Sequence, residues 1–256
     1  MRFLITASTE GIGMGLSKFF LKRGNRLVIS SRSEDKLDSA LLFLRRISPA
    51  VWGKTSDLTN RQSLIDLVKF SEEIMGGIDV LIVNSGNPRK EPALFEETSY
   101  EDWEEAVKLY LFSAVELTRL VLNGMKARKF GRVIYLSSWT VKEPQSIFVL
   151  ADVSRSPLMQ LAKILSRDYG EFNVTFNVIL MGSFNTQGAR RGISKLAQKT
   201  NKSFEEVWKS EVIDRTAIGR IGDPEKDLGP VIQTIVSSPY ITGSSFLVDG
   251  GTSRSL

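Results

Sequence analysis

The chain has no cysteine and no histidine among its 256 residues. Without cysteine there are no disulfides, no thiolate nucleophile and no Cys-based metal site. Without histidine the commonest metal ligand and the commonest general base go together. Acid–base chemistry is left to Tyr, Lys, Ser, Asp and Glu. No carboxylates cluster at metal-ligand spacing, so no metal is expected. A long apolar run is missing too. The opening MRFLITAS is too short for a signal peptide or a membrane span, which predicts a cytoplasmic protein with no membrane partner. No repeat, low-complexity stretch or linker divides the sequence.

What is present is ordinary for a globular protein: 42% apolar and 25% charged residues. The length is enough to bury one sizeable core. The net charge of +5 is scattered, with Lys36 beside Asp35 and Asp38, and Lys209 near Glu205, Glu206 and Glu211. Arg45-Arg46 and Arg190-Arg191 read as solvated faces, so no nucleic-acid partner is expected.

Short apolar runs alternate with longer amphipathic segments. Strands are predicted at Phe3 to Thr6, Arg26 to Ser30, Val51 to Ser56, Asp79 to Val83, Arg132 to Ser137, Asn173 to Leu180 and Ser245 to Val248. Helices are predicted at Gly11 to Lys22, Ser33 to Arg46, Arg61 to Met75, Tyr100 to Arg128, Val153 to Tyr169 and Pro224 to Ser237. This rhythm predicts a single α/β domain over residues 1–256, a Rossmann-type doubly wound parallel sheet of seven strands with helices on both faces. Residues 185–221 interrupt the rhythm. They read either as a lid inserted over a substrate pocket or as a surface excursion that only packs.

The first strand runs into Thr6-Ala7-Ser8-Thr9-Glu10-Gly11-Ile12-Gly13-Met14-Gly15. Glycines there allow a tight turn and close approach of a pyrophosphate, which the amides of the following helix can bind. Further on come Asp57-Leu58-Thr59, Asn84-Ser85-Gly86, Ser137-Ser138, Met181-Gly182-Ser183-Phe184-Asn185-Thr186 and the tail Ile241 to Gly251. In this order the motifs resemble those of the short-chain dehydrogenases/reductases, with Ala7 at the first glycine of the TGxxxGxG fingerprint.

The resemblance implies a nicotinamide dinucleotide. The backbone from Ala7 and Thr9 through Gly11, Ile12 and Gly13 would hold its pyrophosphate. Asp57 would bond the adenine amino group with Leu58 beside the ring, and Asn84, Ser85 and Gly86 would line the ribose side. Gly182, Phe184 and Thr186 would meet the nicotinamide. In NAD enzymes an acidic residue ends strand two and repels a 2′-phosphate. Here Ser31 stands there, followed by Arg32, which can pair with a phosphate through two N–H groups. NADP(H) is therefore expected over NAD(H), although Glu10 in the turn opposes this and Arg32 also reads as a solvated residue.

The family's catalytic tetrad is incomplete in this sequence. Ser138 matches the serine. Ala151 stands at the tyrosine, Arg155 at the lysine and Tyr110 at the asparagine. Arg155 keeps the charge and can hold ribose hydroxyls, but it does not shuttle protons. Lys142 and Tyr110 are the candidate replacements for the proton donor. The plainer readings are a solvated loop lysine and a packed core phenol. The segments around Ser138 and Ala151 also resemble a divergent branch related to β-ketoacyl-carrier-protein reductases and glucose dehydrogenases, whose members often lack a perfect tetrad.

Two functions follow as expectations: an NAD(P)-dependent oxidoreductase of a sugar-like or 3-oxoacyl carbonyl or hydroxyl compound, or a dinucleotide-binding homologue without dehydrogenase chemistry, acting as sensor or partner subunit. A dehydratase-like activity is a third. The helix carrying Leu109, Tyr110, Leu111, Phe112, Val115, Leu117, Leu120 and Val121 is apolar nearly all round. Relatives pair this helix, so a dimer or tetramer is expected.

Overall fold

Phe3, Leu4 and Ile5 are all shielded from solvent, which suits a strand covered on both faces. In the computed structural model, which describes residues 1–255, they form β1 (Arg2–Ile5). The other strands are β2 (Arg26–Ser31), β3 (Val51–Thr55), β4 (Val80–Val83), β5 (Gly131–Ser138), β6 (Val174–Met181) and β7 (Ser245–Val248). They form one parallel sheet in the order β3-β2-β1-β4-β5-β6-β7. This is the doubly wound sheet the sequence predicts.

Side chains alternate across β1. Phe3 and Ile5 enter the core shared with α1 (Gly11–Leu21), α2 (Glu34–Leu44) and α10 (Gly229–Ser237). Leu4 enters the opposite core with α3 (Arg61–Met75), α5 (Ser113–Arg128) and α7 (Leu158–Tyr169). Chain progression reverses between β1 and β4. At such a switch point the loops after the two strands diverge and leave a crevice at the carboxyl edge of the sheet. The glycine turn and the loop after β4 border it.

Four expectations on boundaries change. Asp79 lies just outside β4, because its carboxylate accepts from Arg2 Nε and the Arg2 backbone amide, both at 3.0 Å, at the mouth of the sheet. The long helix over Tyr100 to Arg128 divides into α4 (Tyr100–Val107) and α5, joined by a π-turn at Lys108–Phe112. The predicted helix over Val153 to Tyr169 is two: α6 (Val149–Arg155) and α7, broken at Ser156 and Pro157. Pro157 has no amide to continue the ladder, and its ring crowds the preceding turn. The predicted helix over Pro224 to Ser237 is a π-turn at Pro224–Leu228 that runs into α10. The polar stretch after β6, which carried no predicted boundaries, holds α8 (Gln187–Thr200) and α9 (Phe204–Trp208).

Candidate active site

The turn after β1 is pinned by hydroxyls. Ser8 N–H donates to Ser30 O at 2.9 Å, Ala7 N–H to Ser30 Oγ at 3.2 Å, and Ser30 N–H to Ser8 Oγ at 3.2 Å. Ala7 takes a left-handed φ of 45°, strained for a residue with a Cβ and natural at a position where the family has glycine. A Cβ on Gly13 would stand 2.5 Å from the Ser8 Cα. Only glycine lets α1 start this close to the turn. Gly11 opens α1, and Ile12 packs on the core beneath it.

The first amides of α1 receive no side-chain cap, whereas α2, α3 and α8 are capped by Ser33, Asn60 and Thr186. Glu10 turns away from those amides to Arg191 and Lys36. Burial alone would raise its carboxyl, yet the two cations hold it below the usual carboxylate range. The turn therefore fits a pyrophosphate, with uncapped N–H groups at the positive end of a helix dipole and the nearest carboxylate neutralised.

On the adenosine side, Ser31 is buried at the end of β2, and its Oγ accepts from Ser33 N–H at 3.2 Å. Arg32 is exposed beside it. Asp57 accepts through Oδ1 from Thr59 N–H and Oγ1, at 2.9 and 2.8 Å; Leu58 is buried. Asn84 knits β1 to β4. Its Nδ2 donates to Thr6 O and Ala7 O at 3.2 and 2.9 Å, and its carbonyl accepts from Thr6 Oγ1 at 2.6 Å. Half-buried Ser85 and exposed Gly86 continue the rim.

The chemical end is built from β5 and α6. Ser138 ends β5, half-buried. Thr140 Oγ1 lies 2.9 Å from Ser138 Oγ and bonds the Asp152 carboxylate. Arg155 Nη2 donates to Thr140 Oγ1 at 3.0 Å and to Asp152 Oδ1 at 2.9 Å. The other Asp152 oxygen accepts from Gln145 N–H at 3.0 Å. Arg155 Nε is buried without a hydrogen bond. The site residues Ser138 and Arg155 are thus brought together, through two residues that the sequence reading assigned no role.

A third such residue is Glu91. It is buried, and its Oε1 accepts from Ala151 N–H at 2.6 Å. Burial pushes its carboxyl up to about 7, against the pull of the Ala151 amide and Arg155. The two candidate replacements fare differently from it. Tyr110 is buried in the π-turn, its hydroxyl has no partner, and burial raises its phenol above the ordinary value. Its ring lies 5.6 Å from the Arg155 guanidinium carbon. That placement speaks for the packing reading. Lys142 is exposed at the end of a short turn, its amide donating to Trp139 O at 2.9 Å.

On the nicotinamide side, a Cβ on Gly182 would stand 2.5 Å from the Asp249 Cα, so this glycine serves the close crossing of the C-terminal segment. Phe184 is buried against Gly222. Thr186 caps α8, its Oγ1 accepting from Ala189 N–H at 3.0 Å, and its side chain faces Gly11 across the crevice. From α8, Arg191 reaches Glu10 and Lys199 reaches Glu97. Among the described residues no group of His, Cys, Asp and Glu is placed to hold a metal ion, and no helix is long and apolar enough to cross a membrane.

Residues 2–196 match the model of the short chain dehydrogenase family. The chain belongs to that family. Human dehydrogenase/reductase SDR family member 4 is 27% identical over 251 residues, covering 97% of this chain and 86% of the relative. Gluconate 5-dehydrogenase of Gluconobacter oxydans is 26% identical over 256 residues, covering 100% and 95%. Among solved structures, L-sorbose reductase from Gluconobacter frateurii, complexed with NADPH and L-sorbose, superposes with a TM-score of 0.91 at 25% identity, covering 100% of this chain and 97% of that one. The chain thus has the fold and the motif order of an NAD(P)-dependent short-chain oxidoreductase.

A signal for two of the missed residues was present. Asp152 sits between Ala151 and Arg155, and Thr140 is two after Ser138. An ionisable group inside an otherwise apolar helical turn needs a partner when it is buried. Glu91 gave no such signal, because it lies in a polar loop 60 residues from Ala151.

Proposed function

We propose that this chain is an NADP(H)-dependent oxidoreductase of a carbonyl or hydroxyl compound, of sugar-like or 3-oxoacyl type, whose proton-handling site has been rebuilt without the tyrosine. The single observation that carries the reading is Ser138. Its hydroxyl stands at the carboxyl edge of β5, half-buried and held by Thr140, on the same edge as the uncapped start of α1. A nicotinamide bound there supplies or accepts hydride. Ser138 orients the substrate oxygen, and the Ala7 to Gly13 turn binds the pyrophosphate. Arg155 keeps a positive charge beside the reacting oxygen. Arg32, exposed next to Ser31, recognises the 2′-phosphate. The L-sorbose reductase neighbour, complexed with NADPH, supports both the cofactor and the substrate class.

Residues 185–221 form a lid, supported by the Arg191–Glu10 and Lys199–Glu97 pairs that tie α8 across the crevice. Phe112 and Val115, exposed on the α4–α5 arm, support self-association through that face as a dimer or tetramer.

A second reading is favoured by Ala151: a dinucleotide-binding protein without turnover. Losing a general acid–base costs ~10²–10⁴ in rate, so the active reading requires another proton path. The deciding experiment follows NADPH consumption over a panel of ketoses and 3-oxoacyl thioesters, and NADP⁺ reduction over the matching alcohols. Turnover that falls at least about 100-fold in Ser138→Ala supports the active reading. Cofactor binding without turnover of any panel member supports the second.

A further inference from the structure

We propose that Asp152, acting through the hydroxyls of Thr140 and Ser138, is the terminal proton acceptor and donor of this site. The inference rests on the oxidoreductase reading.

A hydroxyl has one hydrogen and can accept two. Thr140 Oγ1 contacts three groups: Ser138 Oγ at 2.9 Å, the Asp152 carboxylate, and Arg155 Nη2 at 3.0 Å. Arg155 can only donate. An ionised Asp152 can only accept. With the carboxylate charged, Thr140 must give its hydrogen to Asp152, and Ser138 must give its own to Thr140. One Ser138 lone pair accepts from Thr140 N–H at 3.3 Å, and Ser138 turns the other toward the crevice, ready to take a proton. With Asp152 neutral, every bond in the row reverses. Asp152 donates to Thr140, Thr140 donates to Ser138, and the Ser138 hydrogen points into the crevice, ready to be given. The row is therefore a two-state wire, buried at Thr140 and Asp152 and open at Ser138.

Tyr110 and Glu91 are placed differently. The Tyr110 hydroxyl has no partner. Glu91 Oε1 accepts from the Ala151 amide, in the main chain of α6.

In the oxidising direction the substrate O–H bond breaks and its proton passes to Ser138 Oγ. The Ser138 proton passes to Thr140 Oγ1, and the Thr140 proton to Asp152 Oδ1. The electron pair of the adjacent C–H bond leaves with its hydrogen as hydride to an oxidised nicotinamide dinucleotide. The products are a carbonyl, the reduced dinucleotide and neutral Asp152, whose proton returns to solvent along Thr140 and Ser138, the open end of the row, once the product has left. Reduction runs the same transfers backwards.

The test is Thr140→Val, which removes the hydroxyl at nearly constant volume. We expect kcat to fall about 100- to 1000-fold, with KM and NADPH affinity within about threefold of wild type. Thr140→Ser should restore kcat to within about tenfold. Asp152→Asn should lose as much as Thr140→Val, and the double variant no more than either, because both interrupt one path. In cofactor-free protein labelled with carboxyl-¹³C aspartate, the Asp152 resonance, assigned through Asp152→Asn, should move in Thr140→Val. A kcat within threefold of wild type, or a loss confined to Glu91→Gln, overturns the relay while leaving the oxidoreductase reading intact. A wild-type protein that binds NADPH and turns over nothing overturns both. Should Thr140→Val not fold, the wild-type rate in mixed H₂O and D₂O decides. A bowed dependence is the result of several protons in flight, and a straight line contradicts the wire.

Discussion

The two ends of the crevice are built from different materials. The dinucleotide end is mostly backbone: a left-handed Ala7, a Gly13 with no room for a Cβ, and the bare amides of α1. The chemical end is mostly side chain, with Ser138, Thr140, Asp152 and Arg155 hydrogen-bonded in a row and Glu91 behind Ala151. A backbone site tolerates few changes of sequence, because its geometry demands particular residues. A side-chain site can be rewired when a new partner supplies the lost bond. On this view one end can keep the family's motifs while the other, as proposed above, is rebuilt around new partners.

The largest effect is expected from Gly13→Ala. The new Cβ meets the Ser8 backbone, where nothing flexible can yield. We expect NADPH affinity to fall more than about 100-fold and stability to fall by about 1–3 kcal/mol. Gly192→Ala, in open space on α8, is the control and should cost nothing, since alanine favours a helix interior. Calorimetry and thermal unfolding check both.

Glu91→Gln probes the other end. The folded protein holds the Glu91 carboxyl at about 7, above its unfolded value near ~4.5. Between those values the folded state keeps a proton that the unfolded state has released. Stability from this group is therefore full below about pH 4.5 and is lost as pH rises through about 7, by up to about 3 kcal/mol. Glu91→Gln should flatten that part of the pH–stability curve in urea unfolding. An unchanged slope would show that the carboxyl is ionised throughout.

The smallest expected effect belongs to Arg32→Ala. Losing one charge-assisted phosphate contact of about 1.5–3 kcal/mol should weaken NADPH about 10- to 100-fold. NADH affinity should change less than about threefold. Equal weakening of both cofactors would move the 2′-phosphate contact elsewhere.

The sheet was legible because each strand is a short apolar run bounded by polar residues, and all seven strands fall within a residue or two of expectation. The division of the long helices was not. The π-turn at Lys108–Phe112 falls where Leu109, Tyr110, Leu111 and Phe112 make the helix apolar nearly all round, so no shift of periodicity marks it. Pro157 is a signal that the single helix expected over Val153 to Tyr169 passed over. The glycine turn was legible because its chemistry is local. The Thr140–Asp152 bond joins residues 12 apart, and the Glu91–Ala151 bond residues 60 apart. Such bonds exist only once β5, the loop after β4 and α6 are packed together.

The most direct test of the central claim is a calorimetric titration of the purified protein with NADPH and NADH. Saturable binding of one dinucleotide per chain is expected, with NADPH the tighter. Absence of binding by either cofactor to a protein shown to be folded would contradict it.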